Sequence, residues 1–162
     1  MIKSYVTGNL VTILKKSVAE GRQSTFAHGC NCHDAMHSGI AWELQRAFPK
    51  IREVDSTYHE LMVKANSQRN MLGGMSMAMI ERCVVLNMYT QWYPGKDCRY
   101  DAIRQCFRNL NSAGFKNVMI PRIGAGVAGG DWKVIEQIIN EETPDVNITV
   151  IDWDGTISDD EI

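Results

Sequence analysis

One stretch of the chain concentrates residues that can move protons or hold metals: His28-Gly29-Cys30-Asn31-Cys32-His33-Asp34-Ala35-Met36-His37-Ser38-Gly39-Ile40-Ala41. Three of the four histidines and two of the five cysteines fall within its first ten positions. A histidine near its ordinary pKa can act as acid, base or nucleophile. Zinc sites usually space paired ligands two to four residues apart. Cys30 and Cys32 are separated by one residue, and no second cysteine pair completes a tetrahedron. No metal is expected here; buried, reduced thiols are the plainer reading.

A second stretch carries backbone chemistry instead: Ile123-Gly124-Ala125-Gly126-Val127-Ala128-Gly129-Gly130-Asp131-Trp132. Four glycines in seven positions let the main chain approach a ligand closely. Successive amides leading into a helix N-terminus form an anion cradle. The motif lies in the last third of the chain, so it is not the opening fingerprint of a dinucleotide fold, and no Gly-Lys-Ser/Thr closes it as a P-loop. Asp131 can cap the helix that follows. Asp152-Trp153-Asp154-Gly155-Thr156 imitates an aspartate-pair phosphatase motif, but only six residues follow Thr156, too few for the downstream lysine and acids.

The elements that must position these stretches alternate. Strands are expected over residues 1–6, 24–30, 76–80, 83–89, 118–120 and 147–151. Helices are expected over 12–20, 39–48, 51–66, 100–113 and 131–140. Glu81-Arg82 joins the third and fourth strands as a hairpin, and Pro49 separates two helices. About six strands interleaved with helices define an α/β class, a mixed sheet covered on both faces. The loops at 31–39 and 121–130 each follow a strand and precede a helix, which predicts one crevice at the carboxyl ends of the strands. Trp92-Tyr93-Pro94-Gly95 reads as an exposed aromatic turn. At 162 residues, 44% apolar and net charge −2, the chain reads as a single domain over 1–157 with a short acidic tail at 158–162. That charge argues against broad electrostatic binding to nucleic acid or membrane. The N-terminus lacks a signal-peptide pattern and no apolar run is long enough to span a bilayer, so a cytoplasmic location is expected. Five cysteines, an odd number, fit reduced thiols.

The two loops, in this order and about 90 residues apart, resemble the macro domain over nearly the whole chain. Within that family the likeness is to the yeast-type ADP-ribose-1''-phosphate phosphatases and to related phage and bacterial proteins. Tyr5-Val6-Thr7-Gly8-Asn9-Leu10 is similar to the opening strand and turn, His28-x-Cys30-Asn31-Cys32 with Gly39-Ile40-Ala41 to the first ligand loop, and Met119-x-Pro121, Gly124 to Gly126 and Trp132 to the second. The resemblance implies a three-layer α/β/α fold with a mixed six-stranded sheet and ADP-ribose in the crevice. It places Asn9 at the adenine, with its carbonyl accepting from the adenine amine, and Gly8 and Leu10 beside it among the ligand-binding residues. It places Asn31 at the distal ribose. Gly39, Ile40 and Ala41, together with Gly124, Ala125, Gly126, Val127, Ala128 and Gly129, would cradle the diphosphate, with Ser38 at the distal-ribose pocket and Ile123 also among the ligand-binding residues.

The same resemblance implies an enzyme that removes phosphate from ADP-ribose-1''-phosphate without metal or cofactor. Its catalytic group would be drawn from His28, Asn31, His37 and Asp131, with His33 and Asp34 behind them. The partner is ADP-ribose or its 1''-phosphate, with an ADP-ribosylated protein as a further candidate; the domain is expected to be a monomer, in the host cytoplasm if phage-encoded. His37 and Ser38 replace glycines usual in this loop. The lysine and aspartate of the ADP-ribosyl-glutamate hydrolases are absent from Asn87-Met88-Tyr89-Thr90 and Val127-Ala128. A non-catalytic ADP-ribose-binding module, or an ADP-ribosyl or O-acyl-ADP-ribose hydrolase, remain the alternative functions.

Overall fold

The computed structural model describes residues 1–157; the acidic tail expected at 158–162 lies outside the described residues. The elements run β1 (Ile2–Gly8), α1 (Leu10–Ala19), β2 (Thr25–Cys30), α2 (Gly39–Ala47), α3 (Pro49–Lys64), β3 (Met75–Ile80), β4 (Cys83–Tyr89), α4 (Tyr100–Ser112), β5 (Asn117–Ile120), α5 (Trp132–Glu142) and β6 (Asn147–Trp153). A short 3-10 turn at Gln68–Met71 precedes β3. The order across the sheet is β1-β6-β5-β2-β4-β3. β3 alone runs antiparallel, paired with β4 through the hairpin at Glu81 and Arg82. The mixed six-stranded sheet is the one expected.

Local chemistry sets the helix starts. α1 begins at Leu10 rather than Thr12, because the Asn9 side chain accepts from the Val11 and Thr12 amides. Pro49 opens α3 rather than merely ending α2; its fixed φ and missing N–H suit a first helical position. Asp131 caps α5 by accepting from the Lys133 amide. Period-two alternation then sends neighbouring strand residues to opposite faces. Phe26, Val85 and Tyr89 pack with Leu14, Leu44 and Ile51 beneath α1, α2 and α3. Ala27, Leu86 and Met88 pack with Ile103, Phe107, Ile135 and Ile139 beneath α4 and α5. Both faces are covered, so the fold has three layers. Among the described residues, no helix is long and apolar enough to cross a membrane.

Because β1, β6, β5, β2 and β4 are parallel, their carboxyl ends share one edge of the sheet. The two chemistry-bearing loops therefore meet there, despite their separation in sequence.

Candidate functional site

A cleft of ≈ 640 Å³ runs along that edge, from Asn9 and Trp153 at one end to Asn31, Thr90 and Gly95 at the other. Both loops wall it. The first contributes Asn31, Ala35 and His37 to Ala41; the second contributes Ile123 to Ala128. They close on each other: a methyl group at Gly39 would lie 3.6 Å from Val127 Cγ2.

The walls are built to leave amides free. α2 starts at Gly39, but Ser38 makes no side-chain cap there. Among the described residues, the N–H groups of Gly39, Ile40 and Ala41 have no protein acceptor. The same holds for Gly124, Gly126, Val127 and Ala128 on the opposite wall, while Ala125, Gly129 and Gly130 tie the loop to itself. Gly124 has φ +79°, and a methyl group on Gly130 would lie 2.5 Å from Cys98 Sγ. A larger residue at Gly124 would run into Ile103 Cδ1, and one at Gly130 into Cys98 Sγ and the Gly124 carbonyl. Gly126 differs, with open space where a side chain would point. Unpartnered amides on facing walls, one row at a helix N-terminus, make a site for an extended anion.

Side chains at the cleft ends differ from the sequence expectations in informative ways. Asn9 lines the cleft, but Oδ1 already accepts from Val11 N at 3.0 Å and Thr12 N at 3.2 Å, and Nδ2 donates to Thr156 O at 3.0 Å. An amide oxygen has two lone pairs, so the expected acceptance from an adenine amine is corrected: this carbonyl is filled by the helix it caps. Asn31 also lines the cleft. Its Nδ2 donates to Ala35 O at 2.7 Å and its Oδ1 accepts from His33 N at 2.9 Å, folding the loop. One N–H and one lone pair remain for a ligand. His37 and Ser38 are exposed on the cleft wall.

His28, the residue first in line for catalysis, does not line the cleft; its side chain is 0% exposed beneath the sheet. Strand parity decides this, since position 28 shares the α3 face with Phe26 and Cys30. His28 Nε2 meets Asn87 Oδ1 at 2.6 Å. The Asn87 amide donates to Ile51 O and Ser76 Oγ, so its oxygen is the acceptor and His28 carries its proton on Nε2. The chain continues from Ser76 to Tyr89 and from Tyr89 to Asp55 Oδ1, at 2.8 and 2.7 Å. Burial lowers the His28 pKa from 6.5 to about 4, against the opposing pull of the Asn87 hydrogen bond. Burial also raises the Asp55 carboxyl, and pushes the Cys32 thiol up to about 12. This is a structural network, and the catalytic assignment of His28 is withdrawn.

Asp131 is likewise a helix cap outside the cleft lining. His33 stacks on Tyr93 at 5.3 Å and meets Trp92 edge-on. Asp34 pairs with Arg52 and accepts from Ser56 Oγ at 2.6 Å. Neither lines the cleft.

Several lining residues escape the sequence reading. Asp152 and Trp153, dismissed with the false phosphatase motif, form the end of the cleft beside Asn9. Asp152 takes Arg122 in a bidentate pair, Nε to Oδ1 at 2.6 Å and Nη2 to Oδ2 at 3.1 Å. The Arg122 guanidinium lies over Tyr5 and Trp132, about 5.5 Å from each ring centre. Trp153 is 71% exposed. Thr90 lies at the far end of the cleft. The signal that could have found it was available: the strand ending at Tyr89 runs parallel to the one ending at Cys30, so the residue after it must reach the same edge.

This arrangement defines a class: a three-layer α/β/α domain whose parallel strands end at a glycine-walled anion cleft. The family model for the Macro domain matches residues 27–139, and the chain belongs to that family. An uncharacterized 17.5 kDa protein from the tk-vs intergenic region of enterobacteria phage T4 is 34% identical over 163 residues, covering 95% of this chain and 98% of the phage protein. A macrodomain protein from Streptomyces coelicolor superposes with a TM-score of 0.70 at 24% identity, over 96% of this chain and 100% of its own. DarTG of Thermosipho africanus, solved in complex with ADP-ribose, superposes with a TM-score of 0.63 at 15% identity, over 86% of this chain and 40% of its own.

Proposed function

We propose that this chain binds ADP-ribose in the cleft. The observation that carries the reading is the pair of facing amide rows, Gly39 to Ala41 on one wall and Gly124, Gly126, Val127 and Ala128 on the other, without acceptors among the described residues and spaced across one groove. They suit a diphosphate. Membership of the Macro-domain family and the ADP-ribose complex of Thermosipho africanus DarTG support the same ligand. The family resemblance supports an orientation in this reading: adenine toward Asn9 and Trp153, diphosphate between the loops, distal ribose toward Asn31. With the Asn9 carbonyl engaged, Asp152 is the charged acceptor lining the adenine end. Calorimetry with ADP-ribose, with and without a chelator, tests this. Saturable binding unaffected by the chelator is expected; absence of binding overturns it.

Turnover of ADP-ribose-1''-phosphate is a second reading, favoured by one observation. Of the four histidines, all among the described residues, His37 alone lines the cleft. In this reaction water oxygen bonds to phosphorus as the bond from phosphorus to the anomeric oxygen breaks. The His37 imidazolium gives its proton to the departing oxygen, and the proton released by the water restores it. ADP-ribose and inorganic phosphate leave. His37→Gln should slow phosphate release by roughly 100–10,000-fold while ADP-ribose affinity stays within a few-fold. A wild type that binds but releases no phosphate, acyl group or ADP-ribose from a panel of derivatives is a binding module.

A further inference from the structure

The two edges of the sheet differ. β1 ends it on one side; it carries Lys3, and its pairing with β6 shifts register between Ile2 and Ser4. A charge and an irregularity are common guards of an exposed edge. β3 ends the sheet on the other side and has neither. No charged residue or proline occurs from Leu72 to Ile80, and the pairing with β4 is unbroken along the whole strand. Tyr89 N donates to Gly74 O at 3.0 Å, which sets the phase of this ladder. Ser76, Ala78 and Ile80 therefore exchange bonds with β4, and the N–H and C=O groups of Met75, Met77 and Met79 point away from it. Among the described residues, no strand lies beyond them. The side chains of these methionines share the α4 face, where Met77 and Met79 stand opposite Leu86 and Val84 and are 49% and 46% exposed.

We propose that this edge pairs with the β3 edge of a second copy of the chain, antiparallel about a two-fold axis at Met77. Met77 then exchanges both backbone bonds with its counterpart, and Met75 does so with Met79, so two six-stranded sheets become one. The methionines of both copies form a continuous strip, and flexible thioether side chains adapt to one another at such a seam. The charges agree with this register. Glu81 falls opposite Gly73 and Arg82 opposite Leu72, so no like charges meet across the strands. A charged partner strand would find nothing on β3 to answer it, whereas β3 itself matches in length and in its lack of charge. A two-fold pair uses the same edge on both copies. The guarded β1 edges are left outside, so assembly stops at two instead of growing into a fibre. A ladder of six residues on each side makes a small interface, below about 1,200 Å² in total, so the dimer is weak and concentration-dependent. This departs from the monomer expected of the sequence, and it does not depend on what the cleft binds.

Sedimentation velocity on the full chain, from micromolar to near-millimolar concentration, is the first test. Monomer should convert to dimer and to nothing larger. Amide hydrogen exchange at both extremes should show Met75, Met77 and Met79 protected only at high concentration, with β1 unchanged. Met77→Lys puts two like charges at the two-fold axis and should weaken the dimer about tenfold or more. Met77→Glu should do the same, and an equimolar mixture of the two variants should associate again, because opposite charges then face each other. A wild type that stays monomeric near millimolar concentration overturns the proposal. So does a dimer that Met77→Lys leaves intact, a mixture of the two variants that stays monomeric, protection that appears on β1 instead of β3, or assembly that continues past two. If the Met77 variants fail to fold, sedimentation and exchange on the wild type still decide.

Discussion

His28 and His37 are nine residues apart in one stretch of sequence, yet they belong to two regions of opposite character. Beneath the sheet, His28 joins Asn87, Ser76, Tyr89 and Asp55 in a line of side chains paired with one another and shut away from water. In the cleft, helix amides, loop amides and part of the Asn31 amide stand without partners among the described residues. The first region contains the residue types usually associated with catalysis; the second consists largely of backbone and glycine. Buried polar groups satisfied internally add rigidity and specify the core. Polar groups left unsatisfied at a surface cleft are what a ligand completes. The difference teaches that pairing, more than residue type, marks the functional side of this molecule.

The contrast can be broken most sharply at Gly126. A side chain there meets open space, so Gly126→Glu should fold normally while its carboxylate enters the anion cradle. Like charge in such a site costs several kcal/mol, so ADP-ribose affinity should fall by more than about 100-fold (roughly 3 kcal/mol). Native circular dichroism with undiminished affinity would remove the loop from the site. His28→Ala attacks the other region. It leaves a void and strands the Asn87 carbonyl, a loss of roughly 3–5 kcal/mol in stability. Denaturant unfolding should register that loss, while the folded fraction binds ADP-ribose as wild type does. The reverse pattern would return His28 to the ligand.

A pH titration sharpens the same point. Unfolded His28 takes up a proton near 6.5 and folded His28 near about 4, so the unfolded chain binds more protons between those values. The stability contribution of the neutral, buried ring is complete above pH 6.5 and drains away as the pH falls toward 4, by about 3 kcal/mol. His28→Gln, which keeps an N–H for Asn87, should flatten this acid limb. Identical slopes in mutant and wild type would show that other groups set it. The smallest expected effect is at Asn31, which belongs partly to each description because it braces its own loop and faces the cleft. Asn31→Ala should weaken ADP-ribose about tenfold, with a modest drop in melting temperature as Ala35 O and His33 N lose their partner. A large stability loss without an affinity change would make Asn31 structural only.

Much of the molecule was legible in one dimension because its signals are local. Apolar periodicity and Pro49 marked the helices and strands, and Asp131 was readable as a cap from its place before a helical run. The glycine loop announced a backbone site by composition. Asn9 shows the limit: its cap role is as local as that of Asp131, but a match to a ligand-contacting position obscured it.

By itself the sequence determined the alternation of elements, the α/β class, the edge at which a ligand must lie and the two loops that wall the cleft, since each follows from short-range pattern and from the parallel crossover rule. Only the tertiary structure decided which polar side chains were already satisfied. His28 could not be excluded without knowing that Asn87, 59 residues away, stands 2.6 Å from it. That the Thr90 hydroxyl has no partner among the described residues is likewise a fact of the fold alone, and Asp152 could not be moved from a false motif to the cleft end without the β1-β6-β5 neighbourhood. Hydrogen-bond pairing is a property of contacts between distant segments, and linear spacing carries no record of which donors the fold leaves open.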